Sequence, residues 1–231
     1  MALNTGSLVK GLIGYWPLTN KWQDASSNVL DRTPNGNKSS TITGDPTVGA
    51  SSTAYDGDDA HKMGTDSSLN FTGDYSVVAR MSTSNATAAT RHIVSRNNDG
   101  ANAGFSLFMN SSNRIQLFHI VQGTDEGGLV YNSIDGTTTG VVNTGSTFLI
   151  IATFESGVGS ELFINNVSQG TASTTTSPIS TFTQELMFAA QDSVQPRYYT
   201  GNIWDVALCN KVLSSTERNL IEDKGNGNLL N

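Results

Sequence analysis

The amino-acid sequence predicts an all-β fold: one sandwich of two antiparallel sheets, with a single short helix near the C-terminal end. Apolar residues recur at every second position in several segments, which is typical of strands with one buried face. The composition, with 23 glycines and only 14% charged residues, favours turns and pleated surfaces over helices. The 231 residues contain no linker-like stretch, and all-β domains of this length occur as one unit. We therefore expect a single domain over residues 1–231.

The strand prediction is clearest in two segments. In 75–81, alternate residues from Tyr75 to Met81 are apolar, while Ser76 and Arg80 lie on the other face, which predicts a half-buried strand. Segment 148–154 is apolar on both faces except at Thr153, as expected of a central strand covered on each side. The predicted strands are, in order, 11–18, 75–81, 105–109, 114–120, 148–154, 161–164, 167–169 and 203–208.

Turn and helix signals lie between and after these strands. The polar run 110–113 and the pair Asn165-Asn166 predict hairpin loops, because Asn tolerates the positive φ of a tight turn. Ser214-Ser-Thr-Glu217 has the spacing of a capping box and predicts the start of a helix that continues to Asp223. Gly225 is its predicted stop. Longer polar connections, where function on a β scaffold usually resides, are 24–45, 97–104, 123–128 and 172–181.

Charge and cysteine content exclude several classes of function. The formal net charge of −7 and the scattered Lys and Arg residues argue against nucleic-acid partners, since binding to phosphates needs clustered basic residues. The N-terminal residues lack a basic segment followed by an apolar one, and no run is long enough to span a bilayer, so we expect no membrane insertion. Cys209, the single cysteine, lies in an apolar run, and we expect a buried strand residue rather than a nucleophile.

Four motifs occur in a characteristic order. Residues 11–18 are Gly-Leu-Ile-Gly-Tyr-Trp-Pro-Leu, residues 31–37 are Asp-Arg-Thr-Pro-Asn-Gly-Asn, and residues 54–59 are Ala-Tyr-Asp-Gly-Asp-Asp. Residues 199–217 hold Tyr-Thr-Gly-Asn-Ile-Trp-Asp-Val, then Asn-Lys-Val-Leu-Ser and a final Glu. Over about residues 11–222 the chain resembles the LamG-like jelly rolls of the concanavalin A-like lectin/glucanase superfamily. The resemblance implies two sheets packed face to face, with a concave face and one loop edge open to ligands.

The superfamily includes carbohydrate binders, glycanases, lyases and structural modules, so the site residues must decide the function. A glycanase needs two carboxylates about 5 to 10 Å apart, and the Glu-x-Asp-x-x-Glu strand of the glucanases does not occur here. The Arg-x-Glu-x-Arg strand of the alginate lyases is missing as well, and Gln116 and His119 do not have the spacing of their Gln-x-His strand. Asp125-Glu126, Glu155 and Glu161 are expected in solvated loops. We therefore predict that the chain is not an enzyme.

Calcium is the cofactor that the resemblance suggests. Many superfamily members hold one ion with loop carboxylates and backbone carbonyls, which suit a hard cation that prefers oxygen. Asp205 is the favoured ligand, because a carboxylate within an apolar strand lies near an edge or needs a partner. The alternative is that these aspartates cap turns. The candidate ligands are Asp24, Asp31, Asp56, Asp58, Asp59 and Asp205.

Aromatic side chains in polar loops are the predicted carbohydrate contacts, because an aromatic ring packs against the apolar face of a sugar ring. Trp16 and Trp204 lie within strands and are expected in the core. The candidates in or beside polar loops are Trp22, Tyr131, Tyr198 and Tyr199.

Together these features predict a non-enzymatic virion surface protein, either a capsid decoration or a tail-associated module. The missing secretion signal and the missing catalytic patterns support this hypothesis. Free-standing LamG-like chains of this kind also resemble those encoded by bacteriophages. The expected partners are other virion proteins, a host cell-surface glycan and, in a homo-oligomer, further copies of the chain. The expected location is the virion, or otherwise the outside of the cell. A calcium-dependent lectin module and a divergent glycan lyase or hydrolase are the alternatives left open by the sequence.

Overall fold

The computed structural model describes residues 10–22, 30–33, 40–71, 73–83, 89–97, 104–122, 129–135, 145–173, 184–192 and 196–223. For Trp22, residues 120–122, residues 129–135 and Ser173 it describes the backbone alone. In these residues the chain forms fifteen strands, one α-helix and two short 3-10 turns. The strands make two antiparallel sheets, which confirms the predicted sandwich with its C-terminal helix.

Eight strands form one sheet and seven form the other. The eight-stranded sheet contains β1 (Leu12–Pro17), β3 (Thr47–Val48), β4 (Thr53–Asp56), β6 (Tyr75–Thr83), β11 (Phe148–Glu155), β12 (Gly159–Ile164), β13 (Val167–Ser173) and β15 (Thr200–Cys209). Its order is β13-β12-β11-β6-β15-β4-β3, and β1 also pairs with β15. The seven-stranded sheet contains β2 (Thr41–Thr43), β5 (Ala60–Lys62), β7 (Arg91–Arg96), β8 (Gly104–Met109), β9 (Ile115–Gln122), β10 (Leu129–Asp135) and β14 (Met187–Phe188). Its order is β10-β9-β8-β7-β14-β5-β2.

The two sheets enclose one hydrophobic core. The alternating residues of β6 from Tyr75 to Met81 lie in it, as the sequence predicted. The prediction that β6 is only half-buried was wrong, because its other face is buried as well. Trp16 meets Phe188 of the opposite sheet edge to face, with 5.1 Å between the ring centroids. Burial of each large apolar side chain of this kind contributes roughly 1.5 to 3 kcal/mol, so this layer stabilises the packing of the two sheets.

The outer face of the eight-stranded sheet is also buried, beneath the C-terminal segment. Val78, Ile151 and Phe163 on this face pack with Leu213 and Ile221, and Ile221 belongs to helix α1 (Ser215–Asp223). Strand β11 therefore has apolar contacts on both faces, which confirms the prediction for 148–154.

Helix α1 begins at the capping box that the sequence predicted. The Glu217 amide donates to Ser214 Oγ at 3.3 Å, and the Ser214 amide donates to Glu217 Oε2 at 3.0 Å. The Arg218 guanidinium lies 3.8 Å from the centre of the Phe163 ring. These contacts hold the first turn of α1 on the outer face of the sheet.

A buried ion pair attaches the other end of α1 to the same sheet. Arg80 on β6 is paired in register with Asp205 on β15, and Arg80 Nε lies 3.8 Å from Asp205 Oδ1, with each side chain only 5% exposed. Arg80 Nη2 donates to the carbonyl of Ile221 in the last turn of α1, where carbonyls lack partners within the helix. We call Arg80, Asp205 and this carbonyl the arginine clip.

Several strands were not predicted, because they are too short to show a period of two. The segments β2, β3, β5 and β14 have only two or three residues each, and β2 lies inside the predicted connection 24–45. Strand β7 is longer, but its pairing with β8 shifts between His92 and Val94, and this irregularity disturbs its alternation.

Cys209 is a buried strand residue, as the sequence predicted. Cys209 is buried at the end of β15, and burial raises the pKa of its thiol to about 12. Because the thiolate is the reactive form, this cysteine is unsuited to act as a nucleophile. Among the described residues, no helix combines the length and the apolar character that crossing a membrane requires.

Candidate functional site

Four aspartates converge where the chain passes from one sheet to the other. Asp56 is the last residue of β4, Asp58 and Asp59 lie in the link from β4 to β5, and Asp45 follows β2, the strand paired with β5. One carboxylate oxygen from each of Asp45, Asp58 and Asp59 lies within 4.8 Å of the others. Within the described part of the chain, this is the one group of three or more His, Cys, Asp or Glu side chains in such an arrangement. We call the four aspartates the acidic turn.

Asp59 organises the acidic turn. Its side chain is buried, and its two oxygens accept hydrogen bonds from the Asp45 amide at 2.8 Å and the Asp56 amide at 3.0 Å. Gly44 has a φ of +74°, and a Cβ at this position would lie 2.3 Å from Asp59 Oδ1. Only glycine allows this approach without strain. The residue before Asp45 is therefore part of the architecture that brings the two carboxylates together.

The negative charges of the acidic turn oppose one another. The pKa of Asp58 is raised, first by its hydrogen bond to the Asp56 side chain and then by the Asp56 charge. The pKa of Asp59 is also raised, chiefly by burial, against the lowering effect of the two backbone amides. A bound cation would relieve this repulsion.

Tyr198 is connected to the acidic turn through Ala60. Its half-buried side chain packs against Ala60, Met187 and Ala190, and Ala60 directly follows Asp59 in the chain. Two residues after Tyr198, Thr200 is paired in register with Asp56. Tyr198 is thus linked to the acidic turn through Ala60 and through the pairing of Thr200 with Asp56, and we call the acidic turn together with Tyr198 the acidic–aromatic patch.

The donor set of the acidic turn fits a calcium ion. Calcium binds oxygen ligands, often carboxylates and backbone carbonyls, in a flexible geometry. Asp45 and Asp58 are exposed, and each Asp59 oxygen that accepts one amide proton keeps a further lone pair. The residues that would hold the ion are therefore Asp45, Asp58 and Asp59.

Two of the remaining predicted calcium ligands, Asp31 and Asp205, have other roles. Asp31 Oδ1 accepts from the Tyr15 amide at 3.0 Å and the Thr33 amide at 2.9 Å, so Asp31 caps a turn and attaches it to β1. Asp205 belongs to the arginine clip. The prediction that Asp205 is the favoured calcium ligand is therefore corrected, because its buried carboxylate is paired with Arg80. Asp24 lies outside the described residues.

Of the predicted aromatic contacts, Tyr198 is partly exposed and stays a prediction, whereas burial of Tyr199 contradicts its prediction. Tyr199 is fully buried, and its hydroxyl donates to the Ser82 carbonyl at 2.7 Å. The prediction for Tyr199 was wrong because successive side chains of an extended chain point to opposite sides, so one tyrosine of the pair enters the core. Trp22 lies in a 3-10 turn and Tyr131 on β10, and their side chains are outside the described part. Trp16 is buried as predicted, whereas Trp204 is half-buried.

The three histidines lie in separate buried places, each with a hydroxyl partner. The histidine contacts are His61 Nδ1 with the Tyr55 hydroxyl at 2.9 Å, His92 Nδ1 with the Ser106 hydroxyl at 2.5 Å, and His119 Nδ1 with the Tyr75 hydroxyl at 2.7 Å.

Asp125 and Glu126, the carboxylates considered for an enzyme, are outside the described residues.

Comparison with known families identifies the fold. A laminin G family model, described as the concanavalin A-like lectin/glucanases superfamily, matches residues 55–217. The chain belongs to this superfamily. The matched part of this concanavalin A-like domain runs from β4 into α1, and it includes Asp56, Asp58, Asp59 and Tyr198. No curated protein sequence matches the chain at a significant level.

Solved structures share this concanavalin A-like fold at low sequence identity. The receptor binding domain of botulinum neurotoxin C/D mosaic serotype has a TM-score of 0.66 and 13% identity, over 92% of this chain and 51% of that chain. The binding domain of botulinum neurotoxin DC in complex with rat synaptotagmin II has a TM-score of 0.63 and 13% identity, over 92% and 51%. Domain 4 of AbnA, a GH43 extracellular arabinanase from Geobacillus stearothermophilus, in complex with arabinotriose, has a TM-score of 0.59 and 15% identity, over 90% and 96%.

These likenesses differ in how much of the other protein they cover. The chain spans about half the length of the neurotoxin binding domains and nearly all of the arabinanase domain. At such low identity they establish the fold of this concanavalin A-like domain and nothing about its ligand.

Proposed function

We propose that the domain is a non-catalytic recognition module that binds carbohydrate at the acidic–aromatic patch, with calcium held by the acidic turn. The observation that carries this proposal is the convergence of Asp45, Asp58 and Asp59, with the partly buried Tyr198 packed against the cluster that contains Ala60, the residue after Asp59. Carbohydrate recognition needs an apolar surface for the face of a sugar ring and acceptors for its hydroxyls, and the patch offers both.

Each residue of the patch has a distinct role in this proposal. Tyr198 packs its ring against the apolar face of a sugar, and the Ala60, Met187 and Ala190 side chains support it from below. Asp58 is exposed and accepts hydrogen bonds from sugar hydroxyls, while Asp59 is held in place by two backbone amides. A bound calcium ion supplies the positive charge that offsets the crowded carboxylates and offers further oxygen coordination.

The structural neighbours support a binding role over catalysis. Domain 4 of the arabinanase is described with bound arabinotriose, and the neurotoxin domains are described as receptor-binding domains. Carbohydrate and protein receptors are therefore the two ligand classes to test for this chain, and the carboxylates beside Tyr198 favour carbohydrate.

Glycan-array binding with and without a calcium chelator tests this proposal. We expect binding to a defined glycan class that disappears with chelator. Tyr198→Ala should weaken it about tenfold, equivalent to roughly 1.4 kcal/mol, while Tyr198→Phe, which keeps the ring, should bind nearly as well as the wild type. Binding that survives both chelator and Tyr198→Ala would contradict the proposed site. Release of soluble oligosaccharides from the bound glycan would contradict the non-catalytic role.

We further propose that the domain works on a virion, as a capsid decoration or tail-associated module in contact with other virion proteins. The support is the resemblance of this LamG-like chain to bacteriophage-encoded ones. We expect immunogold electron microscopy of purified virions from the source lysate to label the capsid or the tail. Abundant protein in the medium of intact cells, together with unlabelled virions, would argue against this location.

A further inference from the structure

The residue before Tyr198 is tied to strand β7. Strand β14 lies beside β7, and the chain returns to β7 at residues 196–198. There the His92 amide donates to the Arg197 carbonyl at 3.1 Å. Tyr198 directly follows Arg197 in the chain, so this bond helps to position its ring. We call residues 196–198 the tyrosine segment.

The residue after the tyrosine segment is fixed in the core. Tyr199 is fully buried, its hydroxyl donates to the Ser82 carbonyl at 2.7 Å, and its amide donates to the Ala189 carbonyl at 2.8 Å. At the start of the segment, the Pro196 carbonyl accepts from the Gln191 amide at 2.6 Å. The chain after the tyrosine segment is therefore anchored independently of β7.

The backbone around the contact with β7 is irregular. Arg197 has a φ of 42°, in the left-handed region that residues with a side chain rarely adopt. The pairing of β7 with β8 shifts between His92 and Val94. A left-handed residue other than glycine stores strain, and detachment of the tyrosine segment would release the strain at Arg197.

The His92 imidazole is buried on the outer face of the seven-stranded sheet. It is 2% exposed, and its ring stacks on the Phe108 ring with 5.0 Å between centroids. Its Nδ1 lies 2.5 Å from Ser106 Oγ. Leu107 lies in the core between the sheets, so Ser106 and Phe108 on either side of it belong to the outer face. The imidazole is thus outside the main core but shielded from water.

This arrangement suits a neutral imidazole and not a protonated one. A protonated imidazole donates from both ring nitrogens. Ser106 Oγ can accept from Nδ1, but His92 Nε2 is buried without a hydrogen-bond partner among the described residues. Burial, together with the Arg197 charge, lowers the pKa of His92 to about 3.

The charged groups around His92 also favour its neutral form. Arg197 in the tyrosine segment opposes a second positive charge. Arg91, the neighbouring residue of β7, is paired with the core residue Met109 and therefore lies on the opposite face. The β8 side chains that contact the imidazole carry no charge, and the Tyr198 hydroxyl is neutral in acid. Among the described residues, no carboxylate contributes to the pKa of His92.

We propose that His92 is an acid-sensitive anchor: uptake of a proton by its imidazole detaches the tyrosine segment from β7 and withdraws Tyr198 from the acidic–aromatic patch. In the detached form water reaches the protonated ring, and its charge moves away from Arg197. The consequence for ligand binding rests on the proposed function, since acid would then release a carbohydrate by removing the ring that packs against it. The anchor itself needs no ligand.

Proton linkage gives the expected size of the effect. In the detached form the imidazole has its ordinary pKa of about 6.5, while in the attached form it stays neutral until about pH 3. Detachment is therefore independent of pH well above 6.5 and increases as the pH falls below it, by up to about tenfold per pH unit. Between pH 7.5 and pH 5 the equilibrium constant for detachment should rise about thirtyfold.

Amide hydrogen exchange measured by NMR tests the anchor in the full chain, with EDTA present and no glycan. The reporters are the His92 and Gln191 amides, which lose their acceptors in the tyrosine segment when it detaches. After correction for intrinsic exchange rates, their protection should fall about thirtyfold from pH 7.5 to pH 5. The Tyr199 amide should stay better protected at every pH. Equal protection of the three amides would show that the segment opens only with the whole fold, and would overturn the anchor.

A pair of variants assigns the pH dependence to one histidine. His92→Asn cannot take up a proton and keeps a hydrogen-bonding group for Ser106 Oγ, while His119→Asn is the matched change at a buried histidine of the core. The pH dependence of the two reporter amides should disappear in His92→Asn and persist in His119→Asn. Protection that is independent of pH in the wild type, or unchanged pH dependence in His92→Asn, would overturn the proposal. The wild-type comparison with Tyr199 decides the question without any variant.

A second readout follows Tyr198 itself. NOEs between the Tyr198 ring and the methyl groups of Ala60 and Ala190 report on its packing in the patch. We expect them to weaken over the pH range in which the His92 amide loses protection, in the wild type but not in His92→Asn. Unchanged NOEs would overturn the coupling to Tyr198. Failure of glycan binding at pH 7.5 concerns the proposed function alone, because neither NMR measurement contains a glycan.

Discussion

Replacing Asp205 with asparagine is expected to lower the free energy of unfolding by about 3 to 5 kcal/mol, the usual effect of breaking a buried ion pair. The side chains of Arg80 and Asp205 are each only 5% exposed, so the substitution leaves a buried guanidinium without its counter-charge. Arg80 also donates to the carbonyl of Ile221, and loss of the arginine clip should loosen the last turn of α1. Urea denaturation of the two proteins measures this difference.

A double variant separates the ion pair from simple packing loss. Adding Arg80→Met to Asp205→Asn removes the unpaired charge, and it should recover part of the lost stability. A loss below about 1 kcal/mol for Asp205→Asn, typical of an exposed pair, would show that the clip contributes little. Calcium affinity should stay the same in Asp205→Asn, because the acidic turn does not include this residue.

Acidification from pH 6.5 to pH 5 is expected to destabilise the fold steeply, because two buried histidines resist protonation. Burial lowers the pKa of His92 to about 3 and of His119 to about 3, from an ordinary value of 6.5. In the unfolded chain both imidazoles take up protons below pH 6.5, while in the folded chain they remain neutral until about pH 3. Their stabilising contribution is therefore complete above pH 6.5 and is lost progressively as the pH falls towards 3.

The slope of the free energy of unfolding against pH, between pH 5 and pH 6.5, measures the effect of the buried histidines. This pH range lies above the usual titration range of carboxyl groups. Each histidine contributes up to about 1.4 kcal/mol per pH unit, and His119→Asn should remove one such contribution. Phe154→Leu, beside the His119 ring at 3.8 Å between centroids, is the matched control. It should lower stability equally at each pH and leave the slope unchanged. A wild-type slope near zero would contradict the neutral buried histidines.

The long strands were predictable because each has its own alternating pattern. Strands β6 and β11 appear in the sequence as runs of apolar residues with a period of two or with both faces apolar, and the capping box marked α1 without any tertiary information. Asn165 and Asn166 adopt φ values of 47° and 59°, as the hairpin prediction required. Strands β2, β5 and β14 depend on their neighbours instead, since two or three residues carry no usable period.

The candidate site was only partly predictable, because its members come together through pairing of distant segments. The sequence placed Asp56, Asp58 and Asp59 in one turn, but Asp45 joins them through the pairing of β2 with β5. The one local signal that Asp45 belongs to the acidic turn was the glycine directly before it, Gly44. Asp205 was misassigned for the same reason, since its partner Arg80 lies on a strand 125 positions earlier.

Isothermal titration of calcium into the domain tests the central claim of this account most directly. We predict one ion per chain, with a Kd of about 10⁻⁴ to 10⁻³ M as in extracellular calcium modules. Asp58→Asn should abolish the binding heat, while Asp223→Asn, at the exposed end of α1, should bind as the wild type does. An absence of binding heat in the wild type, or identical titrations of wild type and Asp58→Asn, would contradict calcium-supported recognition at the acidic turn.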